Sequence, residues 1–316
     1  MSDGLLIVYK TKGCTSHDVI NKIRRKYKIK KCGHSGTLDP MAQGVLLVFI
    51  GKALKLLNFL PKEKLDKQYL MRITLGVTTD SYDATGKITG ENNKGLSVSD
   101  EEISEALKSF SGIIDQIPPI FSAVKVKGKR AYEKARAGED FEVASRKVNI
   151  KSIELINNYI DDNRRNLVIR VSCSRGTYVR SIAHELGQKL GCGAHLSYLL
   201  REKVGDCSYN RAFPMWKLDN AVTFENSESF IKMEDILPIS RITVTDEGAE
   251  QIRHGRPIAR AHIIGMEAES DHSHDQILML NKSGKLLGLY RKGTAQSDAG
   301  SCVLLLPIKV FNDNED

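Results

Sequence analysis

The sequence predicts an α+β protein in which strands outweigh helices. Strand-length apolar or alternating runs recur at Leu5–Tyr9, Val45–Ile50, Tyr69–Leu75, Val148–Ile156 and Leu167–Cys173. Helical periodicity is confined to a few short stretches between them, and the last quarter of the chain reads as nearly all strand. At 316 residues the chain can bury a sizeable core and has room for two domains.

Leu5–Tyr9 is predicted to open the fold as a strand, followed by a helix capped by Ser16 and running to about Tyr27, with Val19, Ile20 and Ile23 on its apolar side. The Val45–Ile50 run lies between Gly44 and Gly51 and is expected to be a buried strand. In Tyr69–Leu75 the alternation places Tyr69, Met71, Ile73 and Leu75 on one face. Gly90–Gly95 is polar and turn-rich, hence a surface loop. Ser99-Asp-Glu-Glu102 is a capping-box signature ahead of a short helix with Ile103, Leu107 and Phe110. Residues 120–150 begin strand-like at Ile120–Val126 and continue as a basic, Ala-rich helical stretch ending near Gly138. After the strands at 148–156 and 167–173, Thr177–Leu190 has Ile182, Ala183, Leu186 and Leu190 at helical spacing, which puts Tyr178 and Arg180 in a first turn beside a strand end.

A domain boundary is expected near Leu237-Pro-Ile-Ser-Arg241, dividing the chain into residues 1–238 and 239–316. Beyond it the pattern predicts a strand at 241–245, a helix at 246–253, and strands near 260–264, 276–281, 285–290 and 302–308. Two chemical decoys are set aside. Gly51-Lys52 lacks the spacing and the hydroxyl of a phosphate-binding P-loop. Asp271-His-Ser-His-Asp275 has no further ligand cluster to complete a metal site, so no metal is expected.

Lys and Arg number 47 against 39 Asp and Glu, a net charge of +8. That excess favours a polyanionic partner. Its distribution is sharper than its sum: Asn21–Lys31 holds seven cations and no acid, and Lys125–Arg136 holds six against Glu133 alone. Two such clusters suit a phosphate backbone. The apolar runs are too short to span a membrane, and the start lacks the basic and apolar regions of a secretory signal. Six cysteines without any Cys-x-x-Cys pair argue against zinc or redox chemistry and for free thiols in a reducing cytoplasm.

The most informative segment is Gly33-His-Ser-Gly-Thr-Leu-Asp-Pro40. Its glycines permit close backbone approach, and Pro40 biases Asp39 towards an extended conformation. Taken alone, Asp-Pro and Gly-x-x-Gly are ordinary turn chemistry. Yet this loop also holds one imidazole and one carboxylate at the mouth of a buried strand, where function is often carried.

With Met41-Ala-Gln-Gly44, this loop closely resembles the catalytic loop of bacterial tRNA pseudouridine-55 synthases. Lys67-Gln-Tyr69, Thr79-Asp-Ser-Tyr-Asp-Ala-Thr-Gly86, Gln116–Lys125 with Gly128–Tyr132, and Cys173–Arg180 with Gly191–His195 follow the same family in order. Lys10-Thr-Lys-Gly13 departs from it, lacking the usual proline. The resemblance implies a mixed, largely antiparallel sheet with flanking helices, the pseudouridine synthase fold, and a thumb-like RNA-gripping segment near 120–150. It implies Asp39 as catalytic nucleophile or base, Arg180 as its ion-pair partner, and Tyr69 as a catalytic aromatic that stacks on the target base and assists C5 deprotonation. Tyr178 would be a pocket wall that holds Asp39 or Tyr69 by its hydroxyl. His34 would fill the place of an extruded base, while Lys125, Lys127, Lys129 and Arg130 contact phosphates. No cofactor is implied, because the isomerisation conserves atoms. The expected partner is the T-arm of tRNA, bound by a monomer without an obligate protein partner. Thr243-Val-Thr-Asp-Glu-Gly and Gly255-Arg-Pro257 resemble a small PUA-type RNA-binding β-barrel. The competing readings are a non-catalytic tRNA-binding or tRNA-folding protein on this scaffold, and a guide-RNA-dependent synthase of the archaeal type, which shares the loop.

Overall fold

The computed structural model describes residues 2–220, 222–267, 275–297 and 300–312, with side chains described outside 294–303. Its larger sheet is built on β1 (Gly4–Lys10), β2 (Cys32–His34), β3 (Gln43–Ile50), β4 (Lys67–Leu75), β5 (Gly112–Gln116), β6 (Arg146–Asp161), β7 (Arg164–Cys173) and β8 (Ala194–Val204). The main path runs β1-β3-β8-β4-β7-β6-β5, with β2 paired on β3. Every contact along that path is antiparallel except β3 with β8, where only Leu200 meets Gln43 and Arg201 meets Gly44. The expected mixed, largely antiparallel sheet is therefore present, and its two halves meet at one short parallel seam.

Gly44 makes that seam possible. Its φ is +110°, and a Cβ there would lie 2.3 Å from the Arg201 carbonyl oxygen. No side chain fits in that space.

Helices cover one face. α1 (Ser16–Tyr27) buries Val19, Ile20 and Ile23 against Leu6, Val8, Leu46 and Val48. Its cap is Thr15, one residue before the expected Ser16, because Asp18 at the third helical position completes a capping box with Thr15. Ser16 is instead buried in the first turn, where its hydroxyl accepts from Leu38 N at 2.8 Å and donates to Leu38 O at 3.1 Å. α2 (Asp100–Lys108) carries the predicted Ser99–Glu102 capping box. In the basic segment the strand is only Lys125–Val126, turned back onto Lys129–Arg130 through left-handed Lys127 and Gly128, before a short α3 (Ala131–Arg136). A hairpin thus replaces the longer strand expected from Ile120, because the two prolines Pro118 and Pro119 precede a stretch anchored by side chains rather than by a sheet. The polar Gly90–Gly95 segment likewise contains part of a strand, Ile88–Glu91, paired with Val77–Thr79. α4 (Val179–Lys189) packs Ile182, Ala183 and Leu186 into the core formed by β4 and β7.

After residue 240 a second sheet forms from β9 (Arg241–Val244), β10 (Ile258–Ala259), β11 (Ile263–Glu267), β12 (Gln276–Leu280), β13 (Leu286–Ser297) and β14 (Gly300–Val310), with α5 (Asp246–Arg253) against it. Its order is β10-β14-β13-β12-β9-β11. The end strands β10 and β11 do not pair among the described residues, so the PUA-like unit is an open half-barrel rather than a closed barrel. The acidic Asp271–Asp275 loop lies, apart from Asp275, outside the described residues.

The two sheets share a core. Leu278, Leu280, Leu286, Leu289 and Phe311 pack in one cluster with Leu5, Ile7, Val45, Leu47 and Phe49. Leu289→Ala should therefore cost about 2–5 kcal/mol and shift the unfolding of both sheets together. The single tryptophan, Trp216, sits edge-on to Tyr9 of β1 at 6.3 Å and reports on the first sheet. Its fluorescence midpoint in urea should fall in the variant; an unmoved midpoint would mean that the sheets unfold separately.

Candidate active site

The Gly33–Pro40 loop leaves β2, turns over the seam and enters β3, so Asp39 stands where the two halves of the sheet meet. Four sets of contacts hold it there. Ser16 brackets Leu38 as described, and Gly13 N donates to Pro40 O at 2.8 Å, tying in the segment that lacks the expected proline. Lys10, fully buried, donates from Nζ to the carbonyls of Thr11 at 3.0 Å and Cys14 at 2.7 Å, closing the same segment from within. Burial pushes the Lys10 pKa down, with the charge of Asp39 among the groups that oppose it. From below, Arg201 donates to Val45 O at 2.6 Å, Thr37 O at 3.2 Å and Gly36 O at 3.3 Å.

Arg180, in the first turn of α4, is buried and reaches Asp39. Its Nε lies 3.1 Å from Asp39 Oδ2, an ion pair in which the N–H is not aligned for a hydrogen bond. The rest of the guanidinium is held firmly: Nη1 donates to Ser81 O at 3.1 Å and Nη2 to Phe121 O at 3.0 Å. Nη1 also lies 3.5 Å from Asp83 Oδ2. Two carboxylates thus share one cation, and their surroundings separate them. Asp83 is 5% exposed and its Oδ1 accepts from Ser81 Oγ, Thr85 N and Thr85 Oγ1. Asp39 is 33% exposed. Asp83 anchors the cation; Asp39 is the carboxylate that a ligand can reach.

Tyr69 lies under the loop in one cluster with Leu38, Met41 and Ala42. Burial pushes its phenol up to about 12, with the nearby charge of Arg201 working against the rise. It is a neutral phenol at pH 7. His34 is half-buried at the loop's start, with Nδ1 lacking a hydrogen-bond partner. Burial lowers its pKa, as do the charges of Arg201 and His17, so it too is neutral at pH 7.

Tyr178 caps α4, fixed by Gln116, which is fully buried and exchanges two bonds with its backbone at 2.8 and 3.1 Å. The expected hydrogen bond from its hydroxyl to Asp39 or Tyr69 is absent among the described residues; its ring instead lies under the Arg146 guanidinium, 4.5 Å from the ring centroid. The backbone clamp holds Tyr178 where its ring meets Arg146 at the start of β6. Lys125, Lys127, Lys129 and Arg130 are exposed on the hairpin and do not touch Asp39. The hairpin's root does touch the site, through Phe121 O on Arg180 and Ile117 O on Ser181 Oγ at 2.8 Å.

Sequence reasoning missed Asp83, Arg201, Lys67 and Arg146. Asp83 had a signal, since hydroxyls at Thr79, Ser81 and Thr85 surround it as in a carboxylate-centred turn. Arg201 had none, because its acceptors lie more than 150 residues away in sequence. The described residues contain no group of three or more His, Cys, Asp or Glu arranged for a metal ion, and no described helix is long and apolar enough to cross a membrane.

The whole-chain architecture is that of the pseudouridine synthases. The fold overlays the solved structure of a Cbf5-Nop10-Gar1 complex with a TM-score of 0.65 at 24% identity, covering 98% of this chain and 85% of that one. An H/ACA RNP bound to a substrate RNA containing 2′-deoxyuridine overlays similarly, with a TM-score of 0.64 at 22% identity over 99% and 86%. Within that class, residues 24–179 match the TruB family pseudouridylate synthase N-terminal domain and residues 180–242 the tRNA pseudouridylate synthase B C-terminal domain. The chain is 35% identical to tRNA pseudouridine synthase B of Bacillus pumilus (strain SAFR-032), over 100% of this chain and 99% of that protein. It is 40% identical to the enzyme of the same name from Mycobacterium sp. (strain KMS), over 84% and 87%. The chain belongs to the TruB family, and its activity is the isomerisation of uridine to pseudouridine in tRNA.

One titration follows from the site. Lys67, at the start of β4, is pushed down to about 8 by burial, with Arg201 adding to the effect. Its ammonium is disfavoured in the fold, so the penalty is full below pH 8 and disappears as pH rises from 8 towards the ordinary lysine value. The Lys67 side-chain resonance, assigned by its loss in Lys67→Met, should titrate near pH 8. The stability difference between wild type and Lys67→Met should narrow over the same range. A resonance that titrates with the exposed lysines would show that the ammonium is solvated.

Proposed function

We propose that this enzyme acts at uridine 55 in the T-loop of tRNA, that Asp39 is its nucleophile or base, and that it needs neither guide RNA nor cofactor. The observation that carries the reading is the Asp39–Arg180 pair. A carboxylate one-third exposed, held by a buried guanidinium that a second carboxylate and two carbonyls keep in place, is an anion that stays aimed at an incoming nucleotide.

The reaction breaks the N1–C1′ bond, turns the base, joins C5 to C1′, and moves the C5 proton away while N1 gains one. A carboxylate suits an electron-poor sugar carbon or an activated pyrimidine. Tyr69 is a phenol at neutral pH and acts as the floor under the base rather than as a resident base. A base in a folded RNA must be extruded to reach Asp39. His34, a neutral planar ring at the loop's start, is placed to stack in the vacated position. The exposed hairpin bearing Lys125, Lys127, Lys129 and Arg130 supports direct gripping of tRNA by the protein alone.

Asp39→Asn should abolish tritium release from C5-labelled uridine while tRNA binding stays within about threefold of wild type. Pseudouridine mapped by carbodiimide-dependent reverse-transcription stops on an unmodified tRNA transcript, without guide RNA, should fall at position 55. A stop elsewhere, or turnover in Asp39→Asn, would overturn the corresponding part of the reading.

Changing Lys125, Lys127, Lys129 and Arg130 together to Gln should weaken tRNA binding without changing which uridine is modified. The slope of log affinity against log salt should become shallower by roughly 0.7–0.9 for each phosphate that the protein no longer neutralises. Unchanged affinity and slope would remove the hairpin from the RNA surface.

A further inference from the structure

Two cations outside the Asp39–Arg180 pair lie against the loop that carries Asp39 and the turn before α4. Lys67 extends along the face of β4 that carries Tyr69, and its Nζ would stand 3.5 Å from a Cβ built on Gly36 of the catalytic loop. Arg146, at the start of β6, lies over the Tyr178 ring, and its Nη1 would be 3.8 Å from a Cβ on Gly176. Each cation therefore faces a glycine, and even a Cβ there would already touch it.

Neither cation has an anionic partner within the described residues. Arg146 buries Nε and Nη2 without a hydrogen-bond acceptor. Buried donors in native proteins are nearly always paired, so two on one guanidinium call for an acceptor that arrives from outside. The neighbours cannot supply one. Asp66 pairs with Lys151 at 2.5 Å. Burial pushes the Cys173 thiol up to about 11, so it carries no charge at neutral pH. Arg201 and Arg146 add positive charge near Lys67 and relieve nothing. The result is a pair of neighbouring cations, one against Gly36 of the 33–40 loop and one against Gly176 of the 174–178 turn, with unmet donors on Arg146.

We propose that Lys67 and Arg146 form an anion site that receives a backbone phosphate adjoining the uridine seated at Asp39. The proposal rests on the reading of Asp39 as the place where the extruded nucleotide is held. A phosphodiester offers a negative charge and acceptor oxygens suited to a planar guanidinium fork and an ammonium together. Extrusion swings the sugar and its flanking phosphates out with the base, so a site against the loop that carries Asp39 would hold the extruded strand by its charge. Glycine at 36 and 176 lets that strand approach both cations.

A binding cycle tests this. An unmodified tRNA is assembled by ligation with a neutral methylphosphonate at the 5′ or, separately, the 3′ linkage of the uridine that the wild-type enzyme modifies, or of uridine 55 if it modifies none. Kd is measured for wild type, Arg146→Gln, Arg146→Lys and Lys67→Met. On unaltered tRNA, Arg146→Gln should bind about tenfold more weakly, with a salt slope shallower by about 0.7–0.9. At one of the two linkages the methylphosphonate should weaken wild type to a similar extent and leave Arg146→Gln nearly unaffected. Arg146→Lys should recover part of the affinity for the charged linkage only. Equal losses by Arg146→Gln on charged and neutral RNA, with an unchanged slope, would assign Arg146 to holding Tyr178 and overturn the proposal. If Arg146→Gln does not fold, Lys67→Met carries the same comparison. Mapping of pseudouridine by wild type is read separately and judges the choice of uridine, whereas the cycle judges the anion site.

Discussion

Arg201 is the support on which the catalytic loop rests. It is 1% exposed and carries a permanent charge, yet its partners are neutral backbone carbonyls from the loop and from β3. A buried cation is tolerated only when its donors are satisfied. That condition works in both directions. The carbonyls of Gly36, Thr37 and Val45 must converge on the guanidinium, and this convergence gives the loop its shape. The seam between β3 and β8 is the geometric counterpart, since Gly44 lets the loop's exit strand press against the backbone of Arg201 itself.

On this platform Arg180 performs a different task. It links elements that are far apart in the chain: the loop through Asp39, the Ser81–Asp83 turn, and the root of the basic hairpin through Phe121. The hairpin carries charge outward into solvent, while its base is bonded to Arg180, which pairs with Asp39. In the proposed function, gripping RNA and aiming Asp39 thus share one guanidinium. The arrangement also explains how two carboxylates near one arginine take different parts. Asp83 is saturated by a turn of hydroxyls and a backbone N–H, and Asp39 keeps its accessible edge.

The C-terminal sheet is part of the core of the larger sheet. Leucines from β12 and β13 complete the core beneath β1 and β3, the second of which forms one side of the seam. Burial of apolar surface from both sheets in one cluster binds their stabilities together.

The sequence by itself determined β1, β3, β4, β6 and β7 of the larger sheet, the capping box of α2, the short helix at 246–253, and the carboxylate loop, but not β2, β5 or the seam strand β8. These depend on local periodicity and on turn and cap chemistry within a few residues. It also pointed to Asp39 and Arg180 through ordered motifs. Where local signals compete it was less decisive: Thr15 and Ser16 are both good caps, and Asp18 three residues on decided between them. The tertiary structure alone decided the places of Arg201, Lys67 and Arg146. The reason is physical: a buried cation is specified by acceptors and neighbours brought together across the sheet, and an arginine inside a strand pattern carries no local mark of which distant carbonyls it will meet. Tyr178 shows the same limit, since its backbone position followed from the helix start, but its ring direction was set by Gln116 and Arg146 from other strands.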